Sequence, residues 1–125
     1  MIEILLVEDD LLAQMSTKMT LKTVKECNID ITSCGEQAID MCNEKVYDLI
    51  FMDIGLSGVI DGYTTSQKIK KDGKNKATPI VIITANGSEQ TNAERLSDII
   101  SHFAVKPLSI EIAQTIFQKF ISPVI

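Results

Sequence analysis

Short apolar runs alternating with segments of helical period predict a three-layer α/β fold with a parallel five-stranded sheet and right-handed crossovers. Three of the runs are apolar at nearly every position, which suits strands buried on both faces better than strands with one wet face. The length agrees: 125 residues, 45% of them hydrophobic, form one domain over residues 1–125. A core of that size covers roughly two-thirds of the surface the unfolded chain exposes, without help from a disulfide or a structural metal.

In chain order, the first strand is Ile2 to Val7. Asp10 then stands where a side-chain oxygen can cap a helix, followed by Leu12, Met15 and Met19 at spacings of three and four, a stripe expected to face the core, with Leu21 falling off it. A weaker strand runs from Ile29 to Cys34, and a third from Leu49 to Met52. Asp61 marks the start of the next helix at Gly62 and Tyr63. The segment from Lys71 to Pro79 is polar and basic and reads as a solvated connection. Strands four and five are Pro79 to Ile83 and Phe103 to Val105. Ser109 caps a last helix, in which Leu108, Ile112, Ile116 and Phe120 recur at four. The five methionines are expected as core filler, and Cys27, Cys34 and Cys42, with no CxxC spacing, as reduced cysteines.

Composition excludes several functions. Seventeen acidic residues against twelve basic ones give a net charge of −5 with no Lys/Arg stripe, which disfavours direct nucleic-acid binding. No span approaches the ~20 apolar residues of a membrane helix, and the N-terminus lacks the basic start and long apolar region of a signal peptide. A soluble, cytoplasmic protein is expected.

Ligands of an open parallel sheet bind outside the carboxyl ends of its strands. Those ends carry Glu8-Asp9-Asp10, Asp53, Thr84-Ala85 and Lys106-Pro107. Three carboxylates brought together repel unless their pKa values rise or a cation lies between them, and hard oxygen donors suit Mg²⁺. With a lysine and a threonine hydroxyl added, the set supplies a nucleophile, a metal site and fixed donors, which is what phosphoryl transfer requires. Asp53 would be the nucleophile. Asp10 reads as a helix cap rather than a ligand, and the lone His102 as structural.

These residues resemble the receiver domains of bacterial two-component response regulators, including the single-domain chemotaxis regulator. The likeness runs through Ile4-Leu-Leu-Val-Glu-Asp-Asp10, Asp48-Leu-Ile-Phe-Met-Asp-Ile54, Pro79-Ile-Val-Ile-Ile-Thr-Ala85 and Phe103-Ala-Val-Lys-Pro107, in order and covering essentially the whole chain. The resemblance implies a doubly wound, flavodoxin-like sheet of order 2-1-3-4-5 with five helices. It implies Asp53 as the phosphoacceptor, Asp9, Asp53 and the Gly55 carbonyl as Mg²⁺ ligands, and Glu8 acting through a metal-bound water. Lys106 would pair with the phosphoryl group, beside the Thr84 hydroxyl and the Ala85 N–H, and Thr84 and Phe103 would form the switch pair. The implied donor is a histidine kinase or histidine phosphotransfer protein. An output partner or a second copy would meet the surface of helix four, strand five and helix five. Such a chain catalyses only its own phosphorylation and dephosphorylation and is not otherwise an enzyme.

Three features depart from the family pattern. After Asp53 the usual Leu-Pro-Gly and short step to Asp-Gly is replaced by Leu56-Ser-Gly-Val-Ile-Asp-Gly62, one residue longer and without the proline. Ser97 to His102 lacks the glycines that commonly end helix four. The basic loop at Lys71 to Lys76 is similar to that of receivers attached to hybrid sensor kinases. Ending soon after the fifth helix, the chain is expected to be a stand-alone receiver or one cut from a larger protein. Other classes fit less well. An aspartate-nucleophile phosphatase needs an acid where Gly55 stands, and Glu8-Asp9-Asp10 has the wrong sign for the phosphate loop of an FMN binder. A degenerate receiver serving only as a binding module is the remaining alternative.

Overall fold

The computed structural model describes residues 1–71, 73–85 and 99–121. Strands β1 (Ile2–Val7), β2 (Cys27–Thr32), β3 (Leu49–Asp53), β4 (Ile80–Thr84) and β5 (His102–Val105) form one sheet of order β2-β1-β3-β4-β5. Every pair is parallel, with β1 held centrally between β2 and β3. The order reverses direction between β1 and β3, so the crevice at their carboxyl ends is the topological switch point of the sheet. The continuous apolar runs have the predicted cause. Ile4 to Val7, Leu49 to Met52 and Ile80 to Ile83 are all buried, because helices cover both faces.

Alternate residues of those strands feed two cores. Leu5, Val7, Ile50, Met52, Ile80 and Ile82 face one, and Ile4, Leu6, Leu49, Phe51, Val81 and Ile83 the other. The first is closed by α2 (Gly35–Glu44) and α3 (Gly62–Lys71), through Ala38, Cys42 and Ile69. The second is closed by α1 (Leu11–Val24) and the last described helix (Ile110–Phe120), through Leu21, Ala113, Ile116 and Phe117. The predicted caps are in place: Asp10 Oδ2 accepts from Ala13 N at 2.8 Å, Asp61 Oδ1 from Thr64 N at 2.8 Å, and Ser109 Oγ from Ile112 N at 3.1 Å. The segment expected to hold the fourth helix, 86–98, lies outside the described residues, which contain four helices. No helix among them is long and apolar enough to cross a membrane.

Three expectations need correction. Leu12, Met15 and Met19 do not face the core; they are 77%, 62% and 68% exposed, and α1 instead buries Thr17 and Leu21. Helical period identifies a face without saying which way it turns. The methionines divide accordingly, with Met52 buried and Met1, Met15 and Met19 exposed. On the last helix Ile112 is 37% exposed, and the buried stripe is Ala113, Ile116 and Phe117.

Lys71 to Pro79 is likewise more than a solvated connection. Asn75 is buried, and its Oδ1 accepts from Tyr47 N at 2.8 Å while its Nδ2 donates to the carbonyls of Cys42 at 2.7 Å and Lys45 at 2.8 Å. The buried Thr78 hydroxyl lies 2.9 Å from Asn75 Oδ1 and 3.0 Å from the Tyr47 carbonyl. This loop therefore ties the end of α2 to the starts of β3 and β4. The cysteines are free, with Cys27 and Cys42 buried and Cys34 half-buried. His102 sits edge-on to Phe120, ring centroids 6.0 Å apart.

Candidate functional site

Strand β1 delivers Glu8 and Asp9 at its carboxyl end, and β3 delivers Asp53 beside them across the switch point. One oxygen of each of the three acids lies within 4.8 Å of the other two. Lys106 follows β5, where its peptide bond to Pro107 is cis, and its ammonium lies 2.5 Å from Glu8 Oε1 and 3.3 Å from Asp53 Oδ2. Two of the three acids thus pair with the same lysine.

Glu8 and Asp53 are buried, and the Glu8 side chain is fully removed from solvent. Its Oε2 accepts from Asp10 N at 3.1 Å, whereas Oε1 has the Lys106 ammonium as its close partner, in an ion pair. Loss of hydration pushes the Glu8 carboxyl up to about 7; Lys106 opposes that rise and Asp53 adds to it. Burial alone would lower Lys106, but the Glu8 and Asp53 carboxylates outweigh it and hold the ammonium above the usual lysine range. A fully buried carboxylate within a set of three acids that repel is costly and becomes more favourable beside a multivalent cation. Oxygen-only donors clustered in this way fit a hard divalent ion such as Mg²⁺.

The loop after β3 frames the cluster. Asp53 Oδ1 accepts from Gly55 N at 3.0 Å, which turns the chain sharply and exposes Gly55 at the rim. Leu56 anchors the loop in the core below. Gly62 closes it, since a Cβ there would lie 2.3 Å from the Asp53 carbonyl oxygen and 2.8 Å from Ile54 Cα; only glycine lets α3 begin this close to the site. Thr84 is buried at the end of β4, followed by the exposed Ala85. Phe103, on β5 in register with Ile82, is half-buried against the first core. Every residue expected at the site is thus found at the carboxyl edge of the sheet or, for Phe103, on the strand leading to it, while Asp10 serves as the expected cap.

Sequence reasoning missed Ser57. Its N–H and hydroxyl both donate to Asp9 Oδ2, at 2.9 and 2.6 Å, and its hydroxyl bond is the main cause holding the Asp9 carboxyl below the usual range. The signal was a donor residue in place of the usual proline.

Known proteins resemble this chain in sequence and fold. The family model described as "Response regulator receiver domain" matches residues 4–117. The transcriptional regulatory protein ZraR of Escherichia coli K12 is 30% identical over 118 residues, 94% of this chain and 26% of that protein. Hybrid signal transduction histidine kinase G of Dictyostelium discoideum is 30% identical over 121 residues, 95% of this chain and 4% of that protein. The chain therefore spans about a quarter or less of these relatives. Among solved structures, the receiver domain of sensor histidine kinase PA1611 from Pseudomonas aeruginosa superposes with a TM-score of 0.85 at 29% identity, covering 97% of this chain and 98% of that one. That domain has a magnesium ion coordinated in its active-site cleft.

Proposed function

The chain belongs to the response regulator receiver domain family, and from that premise we propose that it accepts a phosphoryl group onto Asp53 in a Mg²⁺-dependent reaction. The observation that carries this reading is the convergence of Glu8, Asp9 and Asp53 within 4.8 Å, with Lys106 in contact with two of them. The donor is a phosphohistidine on a kinase or phosphotransfer protein. An Asp53 carboxylate oxygen attacks phosphorus, the new P–O bond forms as the P–N bond breaks, and the imidazole leaves with the electron pair. Lys106, already 3.3 Å from Asp53 Oδ2, is placed to pair with an oxygen of the arriving group. The Thr84 hydroxyl and Ala85 N–H, at the end of the neighbouring strand, donate to its other oxygens.

Glu8, Asp9, Asp53 and the Gly55 carbonyl would hold the metal, Glu8 through water. When bound, Mg²⁺ supplies charge neutralisation for the phosphoryl oxygens and relieves the repulsion among the acids. Water later cleaves the aspartyl phosphate, so the chemistry acts on the chain itself.

Phosphorylation replaces one negative charge by nearly two and adds strong acceptors. Drawing the Thr84 hydroxyl toward them opens space that the half-buried Phe103 ring can fill, which changes the surface around β5 and the last helix. That surface serves an output partner or a second copy; the helix-four part of it falls outside the described residues. For the donor, the exposed Leu11, Leu12, Met15 and Met19 form an apolar docking face on α1. This face reaches the site, because Leu12 lines a cavity of about 300 Å³ together with Lys106 and Pro107. Such a switch works in the cytoplasm.

The test is the intact mass after incubation with acetyl phosphate, with and without Mg²⁺. One phosphoryl adduct, dependent on Mg²⁺ and absent from Asp53→Asn, is expected. No adduct on the native chain under either condition would overturn the reading.

A further inference from the structure

Asp9 is the most exposed of the three clustered acids, and the Ser57 side chain bonds to it at 2.6 Å. Both donors of Ser57 converge on the same oxygen, Oδ2, from a position 48 residues away in sequence. Two bonds from one residue to one carboxylate oxygen fix both the rotation of the carboxylate plane and the side chain's direction, which a single bond would not. They also fill the acceptor sites of Oδ2, so that Oδ1 is the oxygen left for a further partner. Proline at this position, as in the family pattern, would supply neither donor.

The loop around Ser57 shows why this tie matters. Its two ends are anchored elsewhere: Leu56 is buried in the core, Ile60 N donates to Glu36 Oε1 at 3.3 Å, and Asp61 caps α3. Between them Ser57, Gly58 and Val59 are exposed, with Val59 90% exposed. The described hydrogen bonds of this exposed stretch are the two to Asp9. Bonds made in water contribute little net stability, because solvent replaces them when they are lost. Their effect is on orientation, and orientation of a ligand by an outer partner is what sets metal affinity.

Resting on the receiver reading above, we propose that Ser57 is a positioning residue for the divalent cation: it clamps Asp9 Oδ2, presents Oδ1 to the ion, and thereby raises Mg²⁺ affinity. The entropy of ordering the Asp9 side chain is then spent when the chain folds rather than when the cation binds. The same loop carries the Gly55 carbonyl two residues earlier, so the clamp also steadies the rim on which that carbonyl lies.

Calorimetric titration with Mg²⁺ tests this on the native chain, Ser57→Ala, Ser57→Thr and the Asp9→Asn pair with and without Ser57→Ala. Ser57→Ala, which keeps the N–H and loses the hydroxyl, should weaken binding by about tenfold, the lower end of outer-partner effects on metal sites. Ser57→Thr, which keeps both donors, should restore it to within about twofold of native. In the Asp9→Asn background Ser57→Ala should add nothing further, because the two residues act as one unit. Thermal unfolding in EDTA should be the same for native and Ser57→Ala, a result that a merely structural serine would not give. Equal or tighter Mg²⁺ binding by Ser57→Ala, or a full additional loss in the Asp9→Asn background, would overturn the role of Ser57 and leave the receiver reading standing. Failure of the native chain itself to bind Mg²⁺ would overturn both.

Discussion

At one edge of the sheet Asn75 is buried and each of its bonding directions meets a partner; at the other edge Glu8 is equally buried, within a cluster of three acids that Lys106 only partly balances. The same sheet carries both. Around Asn75, the Tyr47 hydroxyl and Lys45 ammonium bond to Asp30 Oδ2 at 2.8 and 3.0 Å, and Lys45 also pairs with Glu3 at 2.5 Å. Around Glu8, three acids cluster and one lysine pairs with two of them. Buried polar groups with complete partners specify a fold, whereas groups left short of partners are held in place by the rest of the structure for something that arrives later. The difference separates the part of this molecule that holds it together from the part to which we assign the proposed phosphoryl transfer.

The contrast breaks most visibly at Asn75. Asn75→Ala removes four bonds, among them the buried ones to the Cys42 carbonyl and Tyr47 N and the half-buried one to the Lys45 carbonyl, so urea unfolding should register a loss on the order of 3 kcal/mol. The folded fraction of that variant should still take up the phosphoryl group.

Glu8→Gln should do the reverse. In EDTA at about pH 8 it should gain stability on the order of 1 kcal/mol, because it removes a buried charge from a repelling set while giving up the Lys106 contact. The sign follows from linkage. A carboxyl raised in the fold to about 7 contributes stability that is fully present below its unfolded pKa and lost as pH rises through about 7. Native stability without metal should therefore fall between about pH 5 and pH 8, and Glu8→Gln should flatten that fall.

Asp30 gives the opposite limb. Burial raises its carboxyl, but the bonds from Lys45 and Tyr47 outweigh that and hold it below the usual range. Its contribution is present above the unfolded pKa and lost as pH falls through the folded one, so Asp30→Asn should make the acid side of the stability profile, below about pH 4, shallower.

The smallest effect on stability is expected on α1. Leu12→Gln and Met15→Gln should change the unfolding free energy by no more than about 0.5 kcal/mol, since both residues are mostly exposed. They should nevertheless slow transfer from a phosphohistidine protein while leaving labelling by acetyl phosphate unchanged. Leu21→Ala, on the buried side of the same helix, should cost about 2 to 4 kcal/mol.

These regions were not equally legible in the sequence. The sheet was, because parallel strands covered on both faces leave uninterrupted runs such as Ile80 to Ile83 that need no partner to be recognised. The acids were too, since strand ends in such a sheet converge, which makes Glu8, Asp9, Asp53 and Lys106 a group before any coordinates exist. Leu12, Met15 and Met19 misled because apolar spacing marks a face whether it meets a core or a partner. Asn75 was hidden among lysines, where a single amide carries no sign that three backbone groups will close on it. Ser57 was visible as an unusual residue, but its bonds to Asp9 depend on a loop path that local sequence does not encode.

The central claim is that the carboxylate edge is built for chemistry and not for stability, and the unfolding free energy of Asp53→Asn in EDTA tests it most directly. Asn at 53 keeps an oxygen for the Gly55 N–H and removes one charge from the repelling set. Stability equal to or above that of the native chain is expected. A loss of about 3 kcal/mol or more, the size associated with breaking a structural buried pair, would contradict the account and make Asp53 a structural partner of Lys106.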